Sequence, residues 1–205
     1  MCIEKTPPAM PPSIAAILMA SGFSKRFGEG NKLLAPFRGK PLARHTLELV
    51  SQIHFPGGIF FIAANDNVAA LAAGLPAVTV IRNRNPEKGL RESVRLGVEA
   101  APAAAHYLFF PCDQPLLDIA TVKLVMAAAR QGCIVEPRHR GRPGNPCLFC
   151  ASFREALLSL EEGQSPRGIK AASPGAVIPV EAQNPLALED ADTEESLARL
   201  SAGRV

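Results

Sequence analysis

The sequence predicts an α/β domain built on a mostly parallel sheet, and three observations carry that expectation. Short apolar runs of strand length, Ile14 to Met19, Ile59 to Ala63, Ala77 to Ile81 and Tyr107 to Phe110, alternate with segments of helical period. The first three of these strands are joined through helices in two β-α-β steps, a connection that pairs strands in parallel. A length of 205 residues, 47% apolar and 20% charged, is ordinary for a globular chain with one substantial core. Residues 1–12, with Pro7, Pro8, Pro11 and Pro12, read as a poorly ordered lead-in, and 13–205 as a single domain.

In chain order, Ile14 to Met19 is a buried strand that empties into an open loop ending near Leu34. Pro41 begins a helix whose apolar face includes Leu42, Leu47, Val50 and Ile53, ending before Pro56-Gly57-Gly58. His45 and His54 belong to it as structural residues. Asp66 to Ala73 is a short helix, Asn83 to Gly89 a polar loop, and Leu90 to Ala100 a helix packed through Leu90, Val94, Leu96 and Val98. After Tyr107 to Phe110 comes a helix over Ile119 to Arg130. Cys133 to Cys150 reads as an antiparallel hairpin around the basic loop Arg138 to Arg142. Phe153 to Leu160 is a short amphipathic helix, Glu161 to Gly168 a turn carrying Arg167, Ala176 to Val180 a final strand, and Glu194 to Leu200 a final helix. Asp192 or Thr193 caps that helix.

Composition excludes several classes of function. A formal net charge of +3, with no basic block interleaved with aromatics, gives no support to nucleic-acid binding. No apolar run approaches the roughly 20 residues of a membrane helix, and the proline-rich start is not a signal peptide. The expected location is the cytoplasm. Five scattered cysteines fit a reducing compartment. Cys147 and Cys150 form C-x-x-C, but three apart on a strand they face opposite ways, so they read as packing residues and not as a metal site.

Two loops carry chemistry. In open α/β sheets ligands bind beyond the carboxyl ends of the strands. There, Met19 leads into Ala20, Ser21 and Gly22, which offer backbone amides without bulky side chains, and Ser24, Lys25, Arg26 and Lys32 add hydroxyls and cations: a site for phosphate. The loop is neither a Walker loop, since Leu33 follows the lysine, nor G-x-G-x-x-G. Gly89 and Ser93 flank the start of a helix able to receive an oxygen-rich ligand. The second loop is Pro111-Cys112-Asp113-Gln114-Pro115. Asp113, at the end of a central strand and facing the cationic loop, is suited to hold Mg²⁺ against triphosphate oxygens; the competing role is to fix a turn or cap the helix starting near Leu117. Gly144 and Asn145 at the hairpin base offer a free backbone and an amide for a polar ring or phosphate.

Together these stretches resemble the MobA-like nucleotidyltransferases of molybdenum-cofactor biosynthesis, especially the cytidylyltransferase type, from Ile14 to Leu200. The resemblance rests on the first loop through Lys32-Leu33-Leu34, on CDQPLL at Cys112 to Leu117, on GNP at Gly144 to Pro146, and on D-x-D-T at Asp190 to Thr193. It implies a Rossmann-like, three-layer α/β/α fold with a mostly parallel mixed sheet. It implies that Arg26 and Lys32 neutralise the triphosphate, that Asp113 binds Mg²⁺, and that Asp192 is the second carboxylate near the metal. Gln114, Gly144, Asn145 and Arg167 fall on the substrate side. The implied reaction joins CMP from CTP to a molybdopterin-type acceptor and releases pyrophosphate, with a molybdenum hydroxylase apoprotein as a possible partner. Ser21 and Gln114 match the cytidylyl version, the guanylyl enzymes having glycine at the position of Ser21. Three residues, Glu29, Gly30 and Asn31, separate Gly28 from Lys32 where two are usual; Phe23 replaces a common arginine, Glu194 a usual proline, and Gln164 and Pro166 alter the turn around Arg167. The alternatives are guanylyl or sugar-type nucleotidyl transfer, or a non-catalytic cofactor carrier or insertion chaperone.

Overall fold

The computed structural model describes residues 13–22, 27 and 30–203. The expected lead-in 1–12 lies outside these residues, as do Ser24 and Arg26 of the first loop.

The chain opens with strand β1 (Ile14–Ala20), and beyond the first loop a 3-10 turn at Lys32–Leu34 leads into a two-residue ribbon, β2 (Pro36–Phe37) and β3 (Lys40–Pro41). Then follow α1 (Leu42–Ser51), β4 (Ile59–Ala63), α2 (Asp66–Ala69), β5 (Val78–Arg82), α3 (Leu90–Ala100), β6 (His106–Pro111) and α4 (Ile119–Ala127). The second half comprises β7 (Ile134–His139), β8 (Arg142–Pro143), β9 (Cys147–Cys150), α5 (Arg154–Leu158), α6 (Pro166–Ala172), β10 (Val177–Glu181) and α7 (Glu194–Ser201). The main sheet runs β10-β7-β9-β6-β1-β4-β5, with β8 paired to β7. β1 pairs in parallel with β4 and β6, β5 with β4, and β10 with β7, whereas β9 runs antiparallel to both β6 and β7. The sheet is therefore mixed and mostly parallel. Its parallel strands deliver their carboxyl ends to one edge.

Alternation along β1 fills both faces, as period-two side chains must. Ala16 and Leu18 join Ala43, Leu47 and Val50 of α1 and Val122 and Val125 of α4 on one side. Ala15 and Ile17 join Val94 and Val98 of α3 and Leu157 of α5 on the other. This is the expected three-layer arrangement. A third cluster, Phe37, Leu42, Ala191 and Leu200, fixes α7 against the β2-β3 ribbon.

Several local expectations are corrected. The turn expected over Glu161 to Gly168 is in part helix: Pro166 occupies the first position of α6, where its missing N–H costs nothing, and Arg167 rides on that helix. The helix expected to run to Arg130 ends at Ala127, and the one expected from Asp66 to Ala73 tightens into a 3-10 turn after Ala69. Cys147 and Cys150 do separate: the Cys147 thiol donates to the Gly144 carbonyl at 3.2 Å, while Cys150 Sγ accepts from the Gly132 amide.

α3 packs so closely on β1 that a Cβ placed on Gly97 would lie 2.3 Å from Ile17 Cγ2. Gly97→Ala is expected to destabilise the fold by about 1–3 kcal/mol through overpacking. Gly168→Ala, in α6 with nothing within 4 Å of the new carbon, is expected to be neutral or stabilising by up to ~1 kcal/mol. Thermal melts of the two variants check the contrast.

Candidate active site

A cleft of 1510 Å³ opens at the carboxyl edge of the sheet. One end is lined by Met19, Ser21, Gly22, Lys32, Gly89 and Ser93, and Asp113 and Asp192 stand on its wall. Gly144, Asn145 and Arg167 line the other end. Most of the residues singled out in the sequence thus share one cavity.

Three elements converge at its charged centre. Asn31 caps the 3-10 turn by accepting from Leu33 N at 3.0 Å, which presents Lys32. The Lys32 ammonium donates to Asp113 Oδ2 at 2.6 Å and to Asp192 Oδ1 at 2.8 Å. Burial pulls the lysine pKa down, but the charge and hydrogen bonds of Asp113 and then Asp192 outweigh it, so the ammonium is held above its ordinary value. Asp113 Oδ1 is buried and has no hydrogen-bond partner among the described residues.

The helix-capping roles open to the two aspartates are taken by neighbours. The α4 helix is capped by Asp118, whose Oδ1 accepts from Thr121 N at 2.7 Å, so Asp113 is not its cap. Thr193 caps α7, with Thr193 Oγ1 accepting from Ser196 N and Ser196 Oγ accepting from Thr193 N. Asp192 is left to point at Lys32. The backbone bond from Ala191 N to the Asp113 carbonyl, 2.8 Å, ties the D-x-D-T segment to the end of β6.

Two carboxylates, one with an unused buried oxygen, are a hard, oxygen-only donor set. Among the described residues no group of three or more His, Cys, Asp or Glu side chains gathers to hold a metal. Mg²⁺ is bound in just this way, through one or two carboxylates completed by water and substrate phosphates, so the residues present fit that ion.

At the far side of the same end, Ser21 is 5% exposed and its Oγ lies 2.5 Å from Ser93 Oγ. Asn83 Nδ2 donates to Ser21 Oγ at 3.1 Å, and Asn83 Oδ1 accepts from Asn85 N. Asn83 is absent from the sequence-based site. Its signal was a polar residue directly after a strand at the ligand edge. Gly89, at the N-terminus of α3, has φ +73° and open space where a side chain would stand.

Two expected residues sit differently. Gln114 does not line the cleft: it is 1% exposed and its Nε2 donates to the Leu188 carbonyl, bracing the segment before Asp192. Ala20 is fully buried in β1. Gly144 is dictated by packing as well as by its place on the cleft, because a Cβ there would meet Leu188 Cβ at 2.8 Å. Sequence reasoning also missed Glu136 and Lys170, whose side chains pair on the cleft wall. A glutamate inside the apolar run Ile134-Val135-Glu136 was the signal for the first; reading a turn in place of α6 hid the second.

Comparison with known proteins agrees with this architecture. The chain is 29% identical over 199 residues to nicotine blue oxidoreductase of Paenarthrobacter nicotinovorans, covering 92% of this chain and 97% of that protein. It is 32% identical over 154 residues to molybdenum cofactor guanylyltransferase of Cupriavidus metallidurans, covering 72% of each. In fold it is similar to a nucleotidyl transferase from Methanothermobacter thermautotroptrophicus, with a TM-score of 0.80 at 22% identity over 93% of this chain and 97% of that one. Residues 16–177 match the model of the MobA-like NTP transferase domain, and the chain belongs to that family of nucleotidyltransferases.

Proposed function

We propose that the protein is a Mg²⁺-dependent cytidylyltransferase that joins CMP to a molybdopterin-type acceptor and releases pyrophosphate, serving the maturation of molybdenum hydroxylases. The observation that supports it most is the convergence of Lys32, Asp113 and Asp192, with an undonated Asp113 oxygen, at the ligand edge of the sheet. A carrier would have no need of this charge set.

In this reading a phosphate oxygen of the acceptor attacks the α-phosphorus of CTP in line. A phosphorus–oxygen bond forms to the acceptor, and the bond from the α-phosphorus to the bridging oxygen breaks to release pyrophosphate. Bound Mg²⁺ would neutralise charge on the phosphate oxygens, with Asp113 and Asp192 as its protein ligands. Lys32 supplies a cation and hydrogen-bond donor for the triphosphate, as Arg26 does in the family pattern. The amides of Met19 to Gly22 and the start of α3 at Gly89 and Ser93 face the nucleotide. Gly144, Asn145 and Arg167 face the acceptor. The chain's contribution is positioning and charge neutralisation, without a covalent enzyme intermediate.

Pyrophosphate release measured with each NTP, with and without molybdopterin, tests the whole reading: release is expected with CTP only when the acceptor is present. Asp113→Asn is expected to abolish metal-dependent turnover while leaving the melting temperature nearly unchanged. Near-normal release by this variant at saturating CTP and Mg²⁺ would remove Asp113 from the metal site. Lys32→Ala is expected to lower kcat/KM for the nucleotide by about 2 kcal/mol or more, through loss of a charge-assisted phosphate contact.

A second reading, guanylyl transfer, is favoured by the name of the Cupriavidus metallidurans relative. Base choice turns on Ser21, which is braced by Asn83 and Ser93 and narrows the space a purine needs. Ser21→Gly is expected to erode the CTP preference by about 1–3 kcal/mol, a shape effect and not a full switch. Competition between CTP and GTP on both proteins measures it. A wild-type preference for GTP would select the guanylyl reading and leave nucleotidyl transfer standing.

A further inference from the structure

At the edge of the sheet opposite the cleft, side chains from three strands converge on one turn. β9 lies between β6 and β7, and its register sets Cys150 opposite His106 of β6. On its other side Phe149 stands opposite Ile134 of β7. One residue further along, Cys150 faces Cys133, and its amide donates to the Cys133 carbonyl at 2.9 Å. Directly opposed residues share a face of the sheet, so His106, Cys150 and Cys133 form a row across three strands. The row closes on the segment Arg130 to Cys133. His106 Nε2 donates to the Arg130 carbonyl at 3.1 Å, the Arg130 amide donates to Cys133 Sγ at 3.2 Å, and the Gly132 amide donates to Cys150 Sγ at 3.2 Å. All three side chains are buried, beneath the exposed residues Arg130, Gln131 and Gly132.

Two features go beyond packing. Cysteines facing each other as a hydrogen-bonded antiparallel pair have Cα atoms about 5.5 Å apart, inside the roughly 4.4–6.8 Å span of a disulfide, yet both are free thiols here. Second, with its Nε2 proton committed to the Arg130 carbonyl, the neutral His106 ring presents Nδ1 as an acceptor. That atom is buried and has no hydrogen-bond partner among the described residues. The next pair along, Ala105 and Ala151, carries the hydrogen bond, so His106 and Cys150 are a non-hydrogen-bonded pair, in which side chains approach most closely. An orphaned buried acceptor beside a thiol is placed to take its proton.

The described cysteines also differ in character. Burial pushes the Cys150 thiol up, but hydrogen bonds from Ser152, and then from Gly132 and Ala151, outweigh it and hold the thiol below its ordinary value. Burial leaves Cys147 pushed up to about 11 and Cys112 well above its ordinary value.

We propose that Cys150 and Cys133 are a redox-modification site, at which hydrogen peroxide converts the pair to a reversible disulfide with His106 as the base. His106 Nδ1 takes the Cys150 proton, and the thiolate attacks a peroxide oxygen. A sulfur–oxygen bond forms, the oxygen–oxygen bond breaks, and the departing hydroxide takes the proton from His106 to leave as water. The Cys133 sulfur then attacks the Cys150 sulfur. A sulfur–sulfur bond forms, the sulfur–oxygen bond breaks, and the hydroxide leaves with the Cys133 proton as a second water. The two thiols lose two electrons and the peroxide gains them. The bond ties β7 to β9 at the root of the hairpin that carries Gly144 and Asn145 to the cleft. The site stands independently of nucleotidyl transfer.

The test exposes folded, full-length, reduced protein to hydrogen peroxide, blocks the remaining thiols with iodoacetamide and maps the cysteines by tandem mass spectrometry. A Cys133–Cys150 link within one chain, reversed by dithiothreitol and formed several-fold faster than Cys112 or Cys147 is oxidised, is expected. Cys133→Ser is expected to hold Cys150 as a sulfenic acid that dimedone captures. In that background His106→Gln, which keeps a donor for the Arg130 carbonyl, is expected to slow dimedone capture several-fold at neutral pH and to move the rise of rate with pH upward. His106→Asn is the second variant if His106→Gln does not fold. Absence of the Cys133–Cys150 link in wild type, or oxidation falling equally on Cys112 and Cys147, would overturn the site. An unchanged rate and pH profile in the His106 variant would overturn the role of His106 as base.

Discussion

The Lys32 ammonium is shared by two carboxylates that come from 81 and 160 residues away in the chain. Without a cation between them, Asp113 and Asp192 would repel across a partly desolvated gap, and neither could be drawn in at little cost. The rest of the structure serves this meeting. β6 carries Asp113 to the ligand edge, the Ala191–Asp113 backbone bond carries Asp192 to it, and burial of Ala191 and Leu200 against Phe37 and Leu42 anchors the C-terminal helix behind. The segment from Asp190 to Thr193 and the helix after it are thus packed to support this meeting. The sharing of Lys32 between two carboxylates also has a consequence for ligands. A divalent cation offered to the carboxylates competes with Lys32, whose charge then becomes available to phosphate oxygens.

In the proposed function, the two ends of the cleft solve different recognition problems with the same edge of the sheet. At the nucleotide end, Asn83, Ser21 and Ser93 form a buried polar chain drawn from the ends of β5 and β1 and from the first turn of α3. Such a chain is rigid when every member is satisfied, which makes it a sound wall for discriminating shapes. At the other end, cations from α6 and β7 are held by a single buried carboxylate. Phe109 of β6 and Phe149 of the reversed strand β9 pack edge to face in the buried layer beneath the cleft.

Local pattern was enough for the layered α/β architecture. The apolar runs at Ile14 and Tyr107 could be little else than buried strands, and the motif around Asp113 could be placed at a strand end because the strand before it was legible. Lys32, Ser21 and Asp113 were placed at one edge by the rule that parallel strands gather their carboxyl ends together, Gly89 and Ser93 by the start of a helix, and Asn145 by the base of a hairpin. All of these are short-range signals, or follow from topology that short-range signals imply.

What the tertiary structure decided was the direction of side chains and the division of labour among neighbours. In the sequence Asp113 is a candidate cap for the helix that follows it; only the packed fold gives the cap to Asp118 and turns Asp113 toward Lys32. Thr193 and Asp192 divide in the same way. Gln114, adjacent to a site residue, lies in the turn that follows β6 and points into the protein, where it finds the Leu188 carbonyl. Glu136 and Lys170 were not joined by any sequence pattern, since their ion pair spans 34 positions and one of the two lies on a helix that the turn-like run Glu161 to Gly168 concealed. Periodicity determines which face of an element is apolar, whereas the partner of a buried charge is set by which other elements the core brings against it, and that is a property of the whole packed chain.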